Sequence, residues 1–363
     1  MEKTKVTAAQ FFSVIYLTLL TGVFMFLSSS SNKIGSTDTV IRPFLFALFN
    51  FILTVPLYFY IKKSNKTDVF TFLNNNSRVL SVTVGIIFLI CFFISVIRTV
   101  ARLDLFLSSA MFKNTNTLLF IVGIIGICCC IAYLGFGTVC RGSSIFSVLV
   151  IAGTLFISVT AVVKSFDILN FTPLFQDGLK DFIKDTVSFS FFPMELSGLL
   201  LFTGSVEGDY KKSYIKFLIF SVITTAFASF CVVGTLGRFA DTQLFPFYTL
   251  STVEGIGLIE RLDALESSAW LFCVISCLSF EILCFKKSFN NIFNSDFKIL
   301  PLIICFISSS AACGYISYNI ERFNFLFSPA YLTVPYVLCV VLIPVICLAV
   351  YYFNKKKRNE NIE

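Results

Sequence analysis

Ten runs of about twenty apolar residues follow one another along the chain, and this feature restricts the possible folds more than any other. A helix rises about 1.5 Å per residue, so about 20 apolar residues cross the hydrocarbon core of a bilayer. Only 13% of the residues are charged, against about 25% in an ordinary soluble domain. We therefore predict an all-α integral membrane protein with ten transmembrane helices, at residues 8–31, 40–61, 79–107, 117–135, 144–163, 186–204, 214–235, 264–285, 298–318 and 331–353.

Positive charge is unevenly distributed between the loops. With the amino terminus inside, the inner segments hold 17 of the 28 lysines and arginines, the outer segments hold 9, and two lie within the third run. Cytoplasmic loops of membrane proteins carry this excess, so we expect both termini in the cytoplasm, with residues 354–363 as a short basic tail. The net charge of +7 is thus explained by membrane topology, and we expect no nucleic-acid partner. The first run lacks a small-residue cleavage pattern, so we expect it to remain as a span.

The cysteine and histidine content argues against metal and enzymatic chemistry. The chain has 13 cysteines and no histidine, and most cysteines lie inside apolar runs, where a small apolar side chain is the usual role. No paired Cys-x-x-Cys motif, activated nucleophile or phosphate-binding loop is present. We therefore predict no enzyme activity, no cofactor and no metal site. Any proton coupling would depend on carboxylates, because histidine is absent.

The sixth run, TVSFSFFPMELSGLLLF, contains a carboxylate in its middle. Glu195 lies between Pro193 and Gly198, and a charge at this depth costs roughly 2.5–3.5 kcal/mol, so it should face protein or a wet cavity. Proline removes a backbone donor and leaves carbonyls that neighbouring helices, water or a ligand must satisfy. We expect Glu195 and the irregular backbone beside it to line a pocket for a polar solute.

The first run also contains a point at which the helix could break. Thr21 and Gly22 are followed by four serines at residues 28–31, and glycine and serine both weaken a helix. A packing notch between helices is the alternative explanation. Two five-span halves, at residues 8–163 and 186–353 of a single transmembrane domain, would each begin with an interrupted helix. This order fits an inverted-repeat transporter fold.

The third run carries Arg98, Arg102 and Asp104. The two arginines are one helical turn apart, whereas Asp104 points elsewhere. One interpretation places all three at the outer interface, with the arginines extending towards water. The other pairs an arginine with a carboxylate such as Glu195, or with a ligand carboxylate.

Charged residues also surround the eighth run. Glu260, Arg261 and Asp263 precede it and are consistent with a helix-start cluster, with Trp270 as an interface anchor, or with ligand contact. Glu281 lies near its inner boundary, where we expect a solvated or paired end charge.

Several motifs together resemble the spore germination permease-like proteins, the B subunits of bacterial germinant receptors. These are distant relatives of the amino acid, polyamine and organocation transporters. The similarity covers nearly the whole chain and is most specific in LGRFADTQLFPFYTLSTVEGIGLIERLDALESSAW, in FSFFPMEL and in DILNFTPLFQDG. The chain departs from the family pattern at Leu20, Leu27 and Gly137.

The resemblance implies a leucine-transporter-like fold of ten helices in a 5+5 inverted repeat, with spans one and six interrupted. It also implies a germinant-sensing subunit that binds a small nutrient such as an amino acid at the bilayer midplane. The implied partners are an A-type membrane subunit and a C-type lipoprotein, in the spore inner membrane. The residues expected to bind ligand are Thr21, Gly22, Phe24, Arg98, Arg102, Phe192, Glu195 and Gly198, and those expected in a loop or gate are Arg261 and Asp263.

Two other functions remain open on sequence grounds. A proton- or sodium-coupled amino acid transporter would have the same buried carboxylate and the same interrupted helices. A membrane scaffold without a ligand would use Glu195 only as a satisfied polar contact.

Overall fold

The computed structural model is almost entirely helical. It describes residues 5–26, 38–64, 67–112, 117–172, 178–180, 182–183, 186, 193–253, 262–318 and 329–360. All statements below refer to these residues.

The first half of the chain forms one short strand and seven helices. In order they are β1 (Val6–Thr7), α1 (Ala8–Phe26), α2 (Asp38–Leu53), α3 (Val55–Lys63), α4 (Val69–Asn74), α5 (Arg78–Phe106, extended by a π-turn at Leu107–Met111), α6 (Leu118–Leu134) and α7 (Phe136–Ser165).

The second half contains a short strand and seven more helices. They are α8 (Gly198–Phe202), β2 (Val206–Glu207), α9 (Tyr210–Leu236), α10 (Pro246–Val253), α11 (Asp263–Phe293), α12 (Leu300–Tyr318), α13 (Pro329–Tyr336) and α14 (Ile343–Glu360). A π-turn at Val337–Leu342 joins the last two, and single 3-10 turns lie at Ile168–Phe171, Met194–Ser197, Thr203–Ser205 and Gly237–Thr242.

Six of the described helices are long and apolar enough to cross a membrane. A seventh span is formed if α2 and α3 are counted together, with a bend of 41° between them. Pro56 lies in the first turn of α3, where its missing N–H prevents the two helices from continuing as one. The protein is therefore a multi-pass membrane protein, and the count of ten spans stays a prediction.

The helix of span one is continuous through the position where we expected a break. α1 includes both Thr21 and Gly22 and ends four residues later at Phe26. The Thr21 hydroxyl donates to the Leu17 carbonyl at 2.9 Å, so it bonds within the helix instead of competing with it. One glycine costs a helix only about 1 kcal/mol, which burial of this segment offsets. The predicted break at Thr21–Gly22 is wrong, and residues 27–37 lie outside the described part.

Span six is irregular, as predicted, over the residues that the structure describes. Pro193 precedes a 3-10 turn at Met194–Ser197, and the α-helix that follows, α8, has only five residues. A second 3-10 turn at Thr203–Ser205 then leads into β2. Such short turns leave backbone N–H and C=O groups near the middle of the span available for hydrogen bonds with other parts of the protein, water or a ligand.

The centre of the fold is α11. In its most apolar window 78% of the residues are buried, the highest share among the candidate spans, and it packs against α5, α7, α1 and α6. At one end of the bundle β1 and β2 pair in parallel, with Val6 opposite Val206 and Thr7 opposite Glu207. The chain before span one is thereby attached to the chain after span six.

Candidate ligand-binding site

Polar residues recur on one face of α5 in the middle of the apolar bundle. Ser95, Arg98, Thr99 and Arg102 have the spacing i, i+3, i+4, i+7, which places them on the same side of a helix. All four are buried, with between 1% and 6% of their surface exposed. This face meets α11 and the Met194–Ser197 turn of span six.

Two glutamates from different spans meet the polar face of α5. The Ser95 hydroxyl lies 2.8 Å from Glu195 Oε1 and 2.6 Å from Glu281 Oε1. Arg98 Nη2 donates to Ser95 Oγ at 3.2 Å and lies 3.7 Å from Glu195 Oε1. Thr99 donates to Glu281 Oε1 at 3.0 Å. We call Ser95, Arg98, Thr99, Glu195 and Glu281 the carboxylate cluster.

Both glutamates of the carboxylate cluster have an oxygen available for a further partner. Glu195 and Glu281 are completely buried, and among the described residues no group forms a hydrogen bond with the Oε2 atom of either. A buried acceptor without a donor costs about 1–3 kcal/mol or more. The cluster is therefore suited to a ligand that brings N–H donors.

The expectation for Glu281 is wrong. We placed this side chain near the inner boundary as an end charge, whereas it is fully buried beside Glu195. The reason is that α11 continues to Phe293, well beyond the predicted end of the span, so Glu281 lies inside the helix. Cys277, one turn earlier, places its thiol 3.5 Å from Glu281 Oε1.

The interpretation that Arg98, Arg102 and Asp104 lie at the outer interface is also wrong. All three are buried, and Arg98 pairs with Glu195, which was the alternative interpretation. Asp104 does point away from the cluster, because its carboxylate accepts hydrogen bonds from Thr117 at 2.8 Å and Ser317 at 2.5 Å. Asp104 therefore joins spans three, four and nine instead of serving the site.

Several other predicted site residues occupy different surroundings. Thr21 and Gly22 are buried near the end of α1, where the Thr21 carbonyl accepts a hydrogen bond from Trp270 Nε1 at 3.5 Å. Trp270 is only 2% exposed and packs 4.5 Å from the Phe106 ring, so the interface anchor expected at Trp270 is wrong. Gly198 packs against α11, since a Cβ there would lie 2.4 Å from Phe280 Cζ.

The structure describes only some of the remaining residues that were predicted to bind ligand or to form a gate. Asp263 is half-buried at the first residue of α11. Phe24 belongs to α1, but its side chain is not described. Phe192, Glu260 and Arg261 lie outside the described residues. Their roles in ligand binding or gating stay predictions.

A second polar contact ties span six to the end of the bundle that carries β1 and β2. Lys287 Nζ lies 3.0 Å from Asp68 Oδ2 and also donates to the Leu201 carbonyl. The other oxygen of Asp68 accepts from Gly204 N at 2.7 Å. The end of span six is therefore attached to α11 and to the residue that precedes α4.

The β1–β2 pair adds an exposed ion pair at the same end. Lys5 Nζ lies 2.7 Å from Glu207 Oε1, with both side chains more than half exposed. The hydrogen bond to Glu207, and then its charge, raise the pKa of Lys5. Exposed pairs of this kind contribute little to stability, so the strand pairing and the Lys287 contacts make the stronger attachment.

The carboxylate cluster is a poor site for a metal ion. Carboxylate oxygens of Glu195 and Glu281 and the Cys277 sulfur lie within 4.8 Å of one another. A divalent ion there would add two positive charges next to the Arg98 guanidinium, which already lies beside Glu195. The arrangement suits hydrogen-bond donors better than a metal.

One apolar cavity borders the irregular part of span six. It has a volume of about 320 Å³, and its lining includes Leu196 and Leu199 of span six, Phe12 of α1 and Tyr214 of α9. Thr54, at the bend between α2 and α3, also lines it, and its hydroxyl donates to the Tyr214 hydroxyl at 2.9 Å. Leu196 directly follows Glu195, so this space lies behind the turn that carries the carboxylate.

Sequence reasoning missed three members of the carboxylate cluster, Ser95, Thr99 and Glu281, and also the neighbouring Cys277. The signal was present, because Ser95 and Thr99 share the helical face of the two arginines, and Cys277 is one turn from Glu281. Hydropathy averaging conceals such faces, since single serines and threonines scarcely change the mean.

Comparison with known proteins agrees with this architecture. The sequence profile of the spore permease family, described as spore germination proteins, matches residues 5–320. No curated protein sequence matches the chain. A solved structure of a Na⁺-coupled sialic acid symporter, in its substrate-bound outward-open state, superposes with a TM-score of 0.61 at 14% identity, covering 93% of this chain and 79% of the symporter. At this identity the likeness shows only that the two proteins share a fold. The family match indicates a transporter or receptor and not an enzyme.

Proposed function

Because the chain belongs to the spore germination protein family, we propose that it is the germinant-sensing membrane subunit of a spore germinant receptor. Its ligand is a small nutrient, an amino acid, that binds at the carboxylate cluster. The observation that carries this proposal is the meeting of two buried glutamates with a buried arginine from a third span.

The chemistry of the cluster complements that of an amino acid. An ammonium group supplies three N–H donors, and Glu195 Oε2 and Glu281 Oε2 are buried acceptors without a described donor. A carboxylate suits an arginine, whose guanidinium can donate two parallel hydrogen bonds. Arg102 is buried one turn from Arg98 on the same face, so a ligand carboxylate would have two arginines within one helical turn.

Span six supplies a route from the ligand to the inner surface. Only eight residues separate Glu195 from Thr203, and the stretch between them ends in the contacts of Leu201 and Gly204 with Lys287 and Asp68. β2 then pairs with β1. A ligand that binds two states unequally shifts their equilibrium by its difference in affinity. Movement of the Glu195 turn would thus change contacts that partner subunits can detect.

The wider organisation follows from the same proposal. Two repeats, at residues 8–163 and 186–353, form one transmembrane domain with ten spans. Both termini lie in the cytoplasm, in accordance with the distribution of lysine and arginine. The protein resides in the spore inner membrane and acts with an A-type membrane subunit and a C-type lipoprotein.

Secondary transport of an amino acid is the second candidate. The fold likeness to a Na⁺-coupled symporter favours it. Purified protein in liposomes distinguishes the two, because a sensor binds labelled amino acid without accumulating it under either a Na⁺ or a proton gradient. Concentrative uptake driven by one of these gradients would identify a transporter.

Spores that carry Glu195→Gln test the role of the cluster. We expect these spores to require at least tenfold more germinant, because charge-assisted hydrogen bonds contribute about 1.5–3 kcal/mol. Glu266→Gln is the matched control, since Glu266 is also buried but lies about four helical turns from Glu281 on α11, and it should leave the response nearly unchanged. Normal germination of Glu195→Gln spores, at equal protein level, would favour a scaffold without a ligand.

A further inference from the structure

The Ser95 hydroxyl makes two short contacts with carboxylate oxygens although it carries a single proton. Its oxygen lies 2.8 Å from Glu195 Oε1 and 2.6 Å from Glu281 Oε1, and both are hydrogen-bond distances. A hydroxyl donates one hydrogen bond and accepts up to two. Arg98 Nη2 already donates to this oxygen at 3.2 Å.

The proton count therefore requires one more hydrogen. If Ser95 donates to one glutamate, the second contact is favourable only if the other glutamate donates to Ser95. Two ionised carboxylates would instead leave one oxygen facing the hydroxyl oxygen without a hydrogen between them. From this geometry we infer that the Glu195–Ser95–Glu281 bridge is a proton-binding site that holds one exchangeable proton per chain.

The burial of the bridge supports the same protonation. Both glutamates are completely buried, and their Oε2 atoms have no hydrogen-bond partner among the residues described. Two like charges in such a place strongly disfavour double ionisation. This observation concerns the Oε2 atoms, whereas Ser95 contacts the Oε1 atoms, and it likewise indicates one proton on the pair of glutamates.

Other ionisable groups surround the bridge. Two of them are cationic, Arg98 and Arg102 on α5. The others are thiols from four elements, namely Cys277 and Cys284 on α11, Cys128 on α6, Cys305 on α12 and Cys339 in the last π-turn. The thiols are neutral when protonated.

The shared proton predicts how a ligand would act on the bridge, and this step rests on the proposed function. The ammonium of an amino acid would lie between the two glutamates, and a nearby positive charge favours the ionised form of both carboxyls. Ligand binding then releases the shared proton to solvent, so that nutrient sensing is linked to pH.

Infrared spectroscopy of the ligand-free protein in lipid nanodiscs tests the proton site directly. The measurement is the carboxylic acid C=O band at neutral pH, identified by its shift in D₂O. Glu195→Gln and Glu281→Gln should each remove the same single band, because an amide N–H₂ can donate to Ser95 and the remaining carboxyl can then ionise. The double variant should remove no more than either single variant.

Glu266→Gln is the matched control. Glu266 is also buried on α11, but fifteen residues separate it from Glu281, or about 22 Å along the helix. This variant should leave the shared band unchanged. If neither cluster variant lost a band, both carboxyls would be ionised in the wild-type protein. If Glu195→Gln and Glu281→Gln each lost a different band, both carboxyls would be protonated. Either result overturns the inference, while the proposed nutrient site would be unaffected because no ligand is present.

Discussion

Removing the Arg98 charge while Glu195 remains should destabilise the fold strongly. In Arg98→Met a side chain of similar length keeps the packing but leaves Glu195 without its cation. The two groups lie 3.7 Å apart, with side-chain exposures of 8% and 1%, so their attraction is about 4 kcal/mol at an effective dielectric constant of about 20. Loss of one member of a buried pair typically costs about 3–5 kcal/mol. We expect Arg98→Met to fall within that range.

A double-mutant cycle isolates the interaction. Arg98→Met combined with Glu195→Gln should be less destabilised than the sum of the single variants by about 2–3 kcal/mol. The assay is reversible unfolding in mixed micelles by titration with a denaturing detergent, followed by circular dichroism. The control cycle combines Arg98→Met with Glu266→Gln, which should be additive within about 0.5 kcal/mol. Additive free energies in the Arg98–Glu195 cycle would contradict the pairing on which the site depends.

Three further results follow from the structure. Gly198→Ala should lower the free energy of unfolding by about 1–3 kcal/mol in the same detergent titration, because its Cβ would lie 2.4 Å from Phe280 Cζ. Gly123→Ala, where a Cβ meets nothing within 4 Å, should be neutral or stabilising. Lys287→Met should speed amide hydrogen exchange in β1 and β2, measured by mass spectrometry, because it removes the contacts with Asp68 and Leu201, whereas Lys286→Met should not. Affinity for an amino acid should rise with pH by up to about tenfold per unit while the shared proton is still bound, and a flat profile would show that binding releases no proton.

The membrane class and the importance of Glu195 could be predicted from the sequence, because both depend on the free energy of placing a side chain in the hydrocarbon core of a bilayer. A carboxylate inside an apolar run is expensive wherever it lies, and here it meets an arginine from the third run. The irregularity of span six was likewise predictable from Pro193, because the loss of a backbone donor acts locally.

The partners of Glu195 could not be predicted in the same way. Hydropathy places a residue along the membrane normal but does not say which side of its helix meets which neighbour. Glu281 was assigned to a boundary because the apolar run ends before the helix does, and α11 continues to Phe293. Trp270 was assigned to the interface by residue type, although packing against Phe106 buries it. Such errors arise because tertiary contacts, and not composition, decide which neighbour a side chain faces and how deeply it is buried.

Span one illustrates the opposite error. Thr21 and Gly22 are weak helix formers, but propensity is only about 1 kcal/mol per residue, and packing against α11 outweighs it. The Thr21 hydroxyl further stabilises the turn by bonding to Leu17. At Thr21 and Gly22 local signals predicted an interruption that the buried environment of this segment prevents, while the serines at residues 28–31 lie outside the described residues.

Equilibrium binding of a labelled amino acid to the purified protein tests the central claim most directly. The amino acid is the one that triggers germination in spores carrying the wild-type chain. Wild-type protein should bind it saturably, and Glu195→Gln and Glu281→Gln should each weaken binding by about 10–100-fold, since each removes a charge-assisted hydrogen bond of about 1.5–3 kcal/mol. Glu266→Gln should bind as the wild type does. Unchanged affinity in both cluster variants would contradict the claim that the buried carboxylates recognise the nutrient.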